Sequence, residues 1–118
     1  MDFSEHKGIY VIGALANGKI QKVTGELSGE ARVLADQLGE EVAVVLIGAD
    51  LKDPASSLIS LGADKVYVID HPLLAHYDGK AYQKALAPFL LEKKPDTIIF
   101  GATPFGRDLA PRLAAEVV

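Results

Sequence analysis

The unbroken apolar run Val42-Ala43-Val44-Val45-Leu46-Ile47, set between Glu41 and Gly48, constrains this chain more than any other segment. A strand with one wet face alternates apolar and polar residues, so a continuous β-branched run is the pattern of a strand covered on both sides. Such a strand demands helices above and below its sheet. The composition agrees: 49% of the residues are hydrophobic but only 7% are aromatic, so Leu, Ile, Val and Ala must fill the core.

The flanking sequence repeats a strand-then-helix rhythm. Ile9 to Ile12 is a short apolar run ended by Gly13, followed by an Asn17-Gly18 turn signal before Ile20. Val23, Leu27, Ala31, Leu34, Ala35 and Leu38 then recur at helical spacing, and Gly39 closes that helix. Asp53-Pro54 opens a short second helix that Gly62 ends, and Val66 to Ile69 reads as a third strand. A third helix is expected from Asp78 to Lys93, with Ala81, Ala85, Leu86, Phe89 and Leu90 inward. Pro88 removes the hydrogen bond to the Lys84 carbonyl, which predicts a kink or two shorter pieces. Thr97 to Phe100 forms the fourth strand, and a fourth helix runs from Arg107 or Asp108 to Glu116. The order βαβαβαβα predicts one α/β domain, a Rossmann-like parallel sheet flanked by helices in three αβα layers. Ligands in such folds sit at the carboxyl ends of the strands.

Several function classes drop out. A formal net charge of -4 and the lack of a basic stripe argue against nucleic-acid binding. With no cysteine there is no disulfide, thiolate metal site or catalytic thiol. The start, Met1-Asp2-Phe3-Ser4-Glu5-His6-Lys7, is polar, and no apolar run approaches the roughly 18 residues that span a bilayer. A cytoplasmic chain without membrane insertion is expected. His71 and His76 are five apart around Pro72, which gives no metal site. No nucleophile and base set is identifiable, and Asp36, Glu40, Glu41, Asp50 and Asp53 read as a solvated face and loop, so no catalytic residue is expected.

Chemistry concentrates in the segment Thr97 to Arg112. Gly101, Ala102 and Thr103 follow the last strand, and Gly106, Arg107 and Asp108 lead into a helix carrying Arg112. One reading makes Gly101, Thr103, Gly106 and Arg107 a cradle for phosphate at a helix N-terminus. The other makes the glycines a tight strand-to-helix turn, with Asp108 capping the helix and Arg107 and Arg112 free to meet a protein partner. The segment is neither a P-loop nor a GxGxxG fingerprint.

The run Gly101-Ala102-Thr103-Pro104-Phe105-Gly106-Arg107-Asp108-Leu109-Ala110-Pro111-Arg112 resembles a stretch in the α subunit of electron transfer flavoproteins. The segments Gly29 to Gly39, Val45 to Gly48, Gly62 to Val68 and Asp70 to Leu74 resemble that subunit's N-terminal domain in the same order. The resemblance implies an electron carrier rather than an enzyme: a heterodimer that takes electrons onto FAD from acyl-CoA or other dehydrogenases and passes them to a quinone oxidoreductase or another acceptor. It also implies that residues 1–118 form the N-terminal domain, packed against the β subunit, and that FAD belongs to a following domain absent from this chain. FAD is therefore expected in the complete heterodimer and not on this chain, while AMP or a second FAD sits on the β subunit. Under this reading Arg107, Asp108 and Arg112 face the partner, and Gly101, Thr103, Gly106 and Arg107 are weak cofactor candidates. The rival reading is a stand-alone adenine-nucleotide-binding module similar to universal stress proteins. Thr103-Pro104-Phe105 stands where such a module would carry a glycine-rich phosphate loop.

Overall fold

The computed structural model describes residues 7–16, 19–20, 22–51, 63–101 and 104–117. Strand β1 (Ile9–Ala16) and a short β2 (Lys19–Ile20) precede helix α1 (Lys22–Leu38). Strand β3 (Val42–Gly48) and β4 (Lys65–Asp70) follow, then a 3-10 turn (Pro72–Leu74), helix α2 (Gly79–Lys93), β5 (Thr97–Phe100) and α3 (Pro104–Val117). The parallel strands lie in the order β4-β3-β1-β5, with Val44 opposite both Val11 and Val66, and Val11 opposite Ile99.

The apolar run behaves as its pattern demands. Every residue from Val42 to Gly48 is buried, and the side chains alternate between two cores. Ala43, Val45 and Ile47 join Tyr10 and Ile12 beneath α2 and α3, where Tyr82, Leu86, Leu90, Leu109 and Leu113 close the layer. Val42, Val44 and Leu46 join Ile9 and Val11 on the opposite face, against Ala31 and Ala35 of α1. The result is the expected three-layer α/β fold.

Helix α1 departs from the expected stripe. Thr24, Ser28, Ala31 and Ala35 form its buried line, while Leu34 lies at the border and Leu38 is 55% exposed. Small residues let the helix lie close on the sheet, and the buried Ser28 hydroxyl is satisfied by donating to the Thr24 carbonyl at 2.7 Å. That closeness also explains Gly13. It does not end β1, which continues to Ala16; a β-carbon there would stand 2.8 Å from Thr24 Cγ2. Beyond Gly13 the strand pairs antiparallel with β2, Leu15 opposite Ile20, an addition to the expected parallel sheet. The Asn17-Gly18 turn and the helix opened by Asp53-Pro54 lie outside the described residues.

Helix α2 has the expected N-terminus: Asp78 accepts from the amides of Lys80 and Ala81 at 3.0 and 3.1 Å. It runs to Lys93 as one helix despite Pro88, which is exposed on its outer side, so it is not two shorter pieces. Lys94 ends it in the left-handed region at φ 51°. Across the lower sheet edge, Asp64 receives the Val42 amide at 2.9 Å and Arg32 Nη1 at 2.6 Å. These contacts, the amide first and then the guanidinium, hold its carboxyl below the usual aspartate range.

Candidate functional site at the carboxyl edge of the sheet

In the order β4-β3-β1-β5 the chain winds one way from β1 through β3 to β4, then returns to the other side of β1 with β5. The gap between β1 and β5 is therefore the topological switch point, where an open α/β sheet leaves a crevice. The segment after Phe100 lies at its carboxyl end.

Helix α3 begins at Pro104, earlier than the expected Arg107 or Asp108. Proline suits the first helical position because the amide it lacks would have had no helical partner. The earlier start changes every neighbouring role. Arg107 sits one turn inside the helix, exposed, with no ion partner among the described residues. Asp108 is no cap, and Pro111 falls beyond the first turn.

Gly106 is buried, and a β-carbon on it would collide with the Gly101 carbonyl oxygen. The start of α3 thus lies close against the main chain that leaves β5. The close strand-to-helix turn therefore requires a residue without a side chain at position 106. Thr103 and Ala102 lie outside the described residues.

Asp108 and Arg112 face each other along the helix, Nε to Oδ2 at 3.1 Å, and the Tyr77 hydroxyl donates to the same oxygen at 2.5 Å. Tyr77 first and Arg112 after it hold the Asp108 carboxyl below its usual range. Burial, then the bond to Asp108, pushes the Tyr77 hydroxyl up to about 12. Gly79 leaves room for the pair: its β-carbon would lie 2.6 Å from Arg112 Nε. The cluster ties α3 to the loop before α2. Tyr77 and Gly79 had no signal in spacing, since the Tyr77–Asp108 contact spans 31 residues.

The next strand end is organised similarly. Asp70 accepts from the amides of Asp50 and Leu51 at 3.0 and 3.1 Å, securing the loop after β3. His71 caps the 3-10 turn, its Nδ1 accepting from the Leu73 amide at 3.1 Å. Among the described residues no group of three or more His, Asp or Glu side chains could hold a metal ion, and no helix is long and apolar enough to cross a membrane.

These features define a class: a Rossmann-like α/β domain with charged side chains at the carboxyl edge of its parallel sheet. Its fold is similar to a solved universal stress protein from Archaeoglobus fulgidus, with a TM-score of 0.61 at 17% identity over 90% of this chain and 92% of that one. The family is set by sequence: residues 9–117 match the electron transfer flavoprotein domain, and the chain belongs to that family. It is 52% identical over 97% of its length to the electron transfer flavoprotein subunit alpha of Megasphaera elsdenii, of which it covers 34%. To the corresponding subunit of Thermoanaerobacterium thermosaccharolyticum it is 45% identical over 98% of its length, covering 35% of that protein. The chain spans about a third of the length of these curated relatives.

Proposed function

We propose that residues 1–118 act as the N-terminal domain of an electron transfer flavoprotein α subunit, a structural part of a cytoplasmic, two-subunit electron carrier. The observation that carries this reading is the likeness to α subunits over nearly the whole chain. In it, FAD is held by the part of the α subunit outside the matched third, and the complete carrier moves electrons from acyl-CoA or other dehydrogenases to a quinone oxidoreductase or another acceptor. AMP or a second FAD belongs to the β subunit.

The β subunit docks on the carboxyl edge. Arg107 is exposed and without an ion partner among the described residues, and the loop that Tyr77 ties to α3 carries Leu73 at 80% exposure. An exposed guanidinium and an exposed apolar side chain at the same edge of the sheet are a common make-up for an interface. Arg112 and Asp108 serve the same face from behind, as a pair whose geometry sets the position of the helix. Replacing Arg107 and Arg112 together by alanine is expected to weaken binding to the β subunit about tenfold or more. Titration of the partner by calorimetry checks this, with Arg107→Ala alone as the variant that leaves the Asp108 pair intact. Unchanged affinity in both variants would sink the interface assignment.

The fold likeness to a universal stress protein, at its low identity, shows architecture alone. It brings no ligand to this chain.

A further inference from the structure

Helix α1 covers its face of the sheet unevenly. At about 100° per residue, the buried line Thr24, Ser28, Ala31 and Ala35 divides the rest of the helix into two flanks. One flank carries Arg32, whose Nη1 reaches Asp64, the residue before β4, at 2.6 Å. That flank therefore looks toward β4. The opposite flank, turned toward β1 and β5, carries Leu27, Leu34 and Leu38 as one stripe at helical spacing.

Leu27 packs partly on the core, but Leu34 is 38% exposed and Leu38 more so. Below them lies β5. Its Thr97 and Ile99 stand opposite Ile9 and Val11 on the face that α1 covers, and both are half-buried. Parallel strands are stable with helices on both faces. The far face of β5 meets that demand, because Ile98 and Phe100 pack on the core that holds Leu109 and Leu113 of α3. On the near face, among the described residues, α1 is the one helix, and the strip beside it over β5 has none.

We propose that this strip, Leu34 and Leu38 of α1 with Thr97 and Ile99 of β5, seats an amphipathic helix supplied by the part of the α subunit outside the matched third. The proposal rests on the α-subunit reading above. Two observations select this occupant. The chain covers 34% of the Megasphaera elsdenii subunit, so the larger share of such a subunit has still to be placed. Leu27 and Ile99 also join the strip to the core of Val11, Ala31 and Val44, so a helix seated there extends one continuous core, as elements of a single subunit do. The β subunit is assigned elsewhere. Leu38 ends α1 just before β3 begins, at the amino edge of the sheet, whereas the β subunit docks on the carboxyl edge.

The chain has no cysteine, so one introduced thiol reports on one position. Leu38→Cys is made in the 118-residue chain and in a fused chain that adds the rest of the Megasphaera elsdenii α subunit. Iodoacetamide labelling, read by mass spectrometry of the α1 peptide, is expected to slow about tenfold or more in the fused chain. Val33→Cys, on the outer side of α1 at 61% exposure, should label alike in both. A second variant joins Leu34→Glu with Leu38→Glu. It should move the melting temperature of the 118-residue chain by no more than about 1 °C and lower that of the fused chain by about 5 °C. FAD uptake by the fused chain tests the α-subunit reading separately, since it can succeed with Leu38→Cys still reactive. Equal labelling of Leu38→Cys in the two chains overturns the proposal. So does protection conferred on the 118-residue chain by the β subunit alone or by its own rising concentration.

Discussion

Alanine at position 106 is expected to cost about 3 kcal/mol or more, placing it with the most damaging single substitutions this fold can take. The added methyl would meet the Gly101 carbonyl oxygen, with the Phe100 β-carbon at 3.4 Å beside it. A flexible side-chain end can swing away, but these atoms belong to the backbone and the base of a strand residue. Relief requires α3 to lift from β5. Lifting α3 opens the core at Leu109 and Leu113, which are 0% and 2% exposed, and separates Asp108 from Tyr77. Urea unfolding followed by circular dichroism should show a large drop in midpoint. The matched control is Gly29→Ala on the exposed side of α1, where nothing lies within 4 Å of the new carbon. There the gain in helix propensity should stabilise by up to about 1 kcal/mol. A Gly106→Ala variant as stable as the parent would mean that the turn after β5 is not packed as described.

Leu46→Ala should be comparably severe. Leu46 is fully buried on the central strand, facing α1 with Val44 and Val42 on its own face. The substitution removes apolar contact on a side chain that close-packed neighbours surround, leaving a cavity that β-branched residues on three parallel strands are poorly able to refill. The expected loss is about 3 kcal/mol. Its signature is a lower urea midpoint with an unchanged slope, since the surface exposed on unfolding hardly changes. A loss under about 1 kcal/mol would show that α1 collapses freely onto the gap.

The central strand was legible because burial on both faces leaves a signature that no half-exposed strand shares. The three parallel partners and the start of α2 near Asp78 were legible for similar local reasons. Where burial depends on small or polar residues, periodicity misled. Leu34 and Leu38 are apolar and in phase, yet Thr24 and Ser28 take the sheet-facing positions because a close helix-to-sheet approach favours small side chains whose hydroxyls can be satisfied locally. Gly13 read as a stop for the same reason: its need is set by Thr24, on another element. At the candidate site the glycines and arginines stand out by type, but they point to a helix start several residues too late, because the Thr103-Pro104 pair, a start signal of the same kind as Asp53-Pro54, was passed over for Asp108. The partnership of Asp108 with Tyr77 is a product of tertiary placement. No spacing rule encodes a contact between residues that the chain brings together only after the sheet has formed.

The proposed role as a domain that docks on a β subunit and leaves flavin binding to the rest of the carrier can be read by sedimentation. Sedimentation velocity of the purified 118-residue chain, alone and mixed with an electron transfer flavoprotein β subunit, tests that role most directly when FAD, AMP and ATP absorbance are followed in the same runs. The expected result is a one-to-one complex with the β subunit and no flavin or nucleotide travelling with the chain by itself. A chain that ignores the β subunit but carries one ATP or AMP per molecule would contradict it.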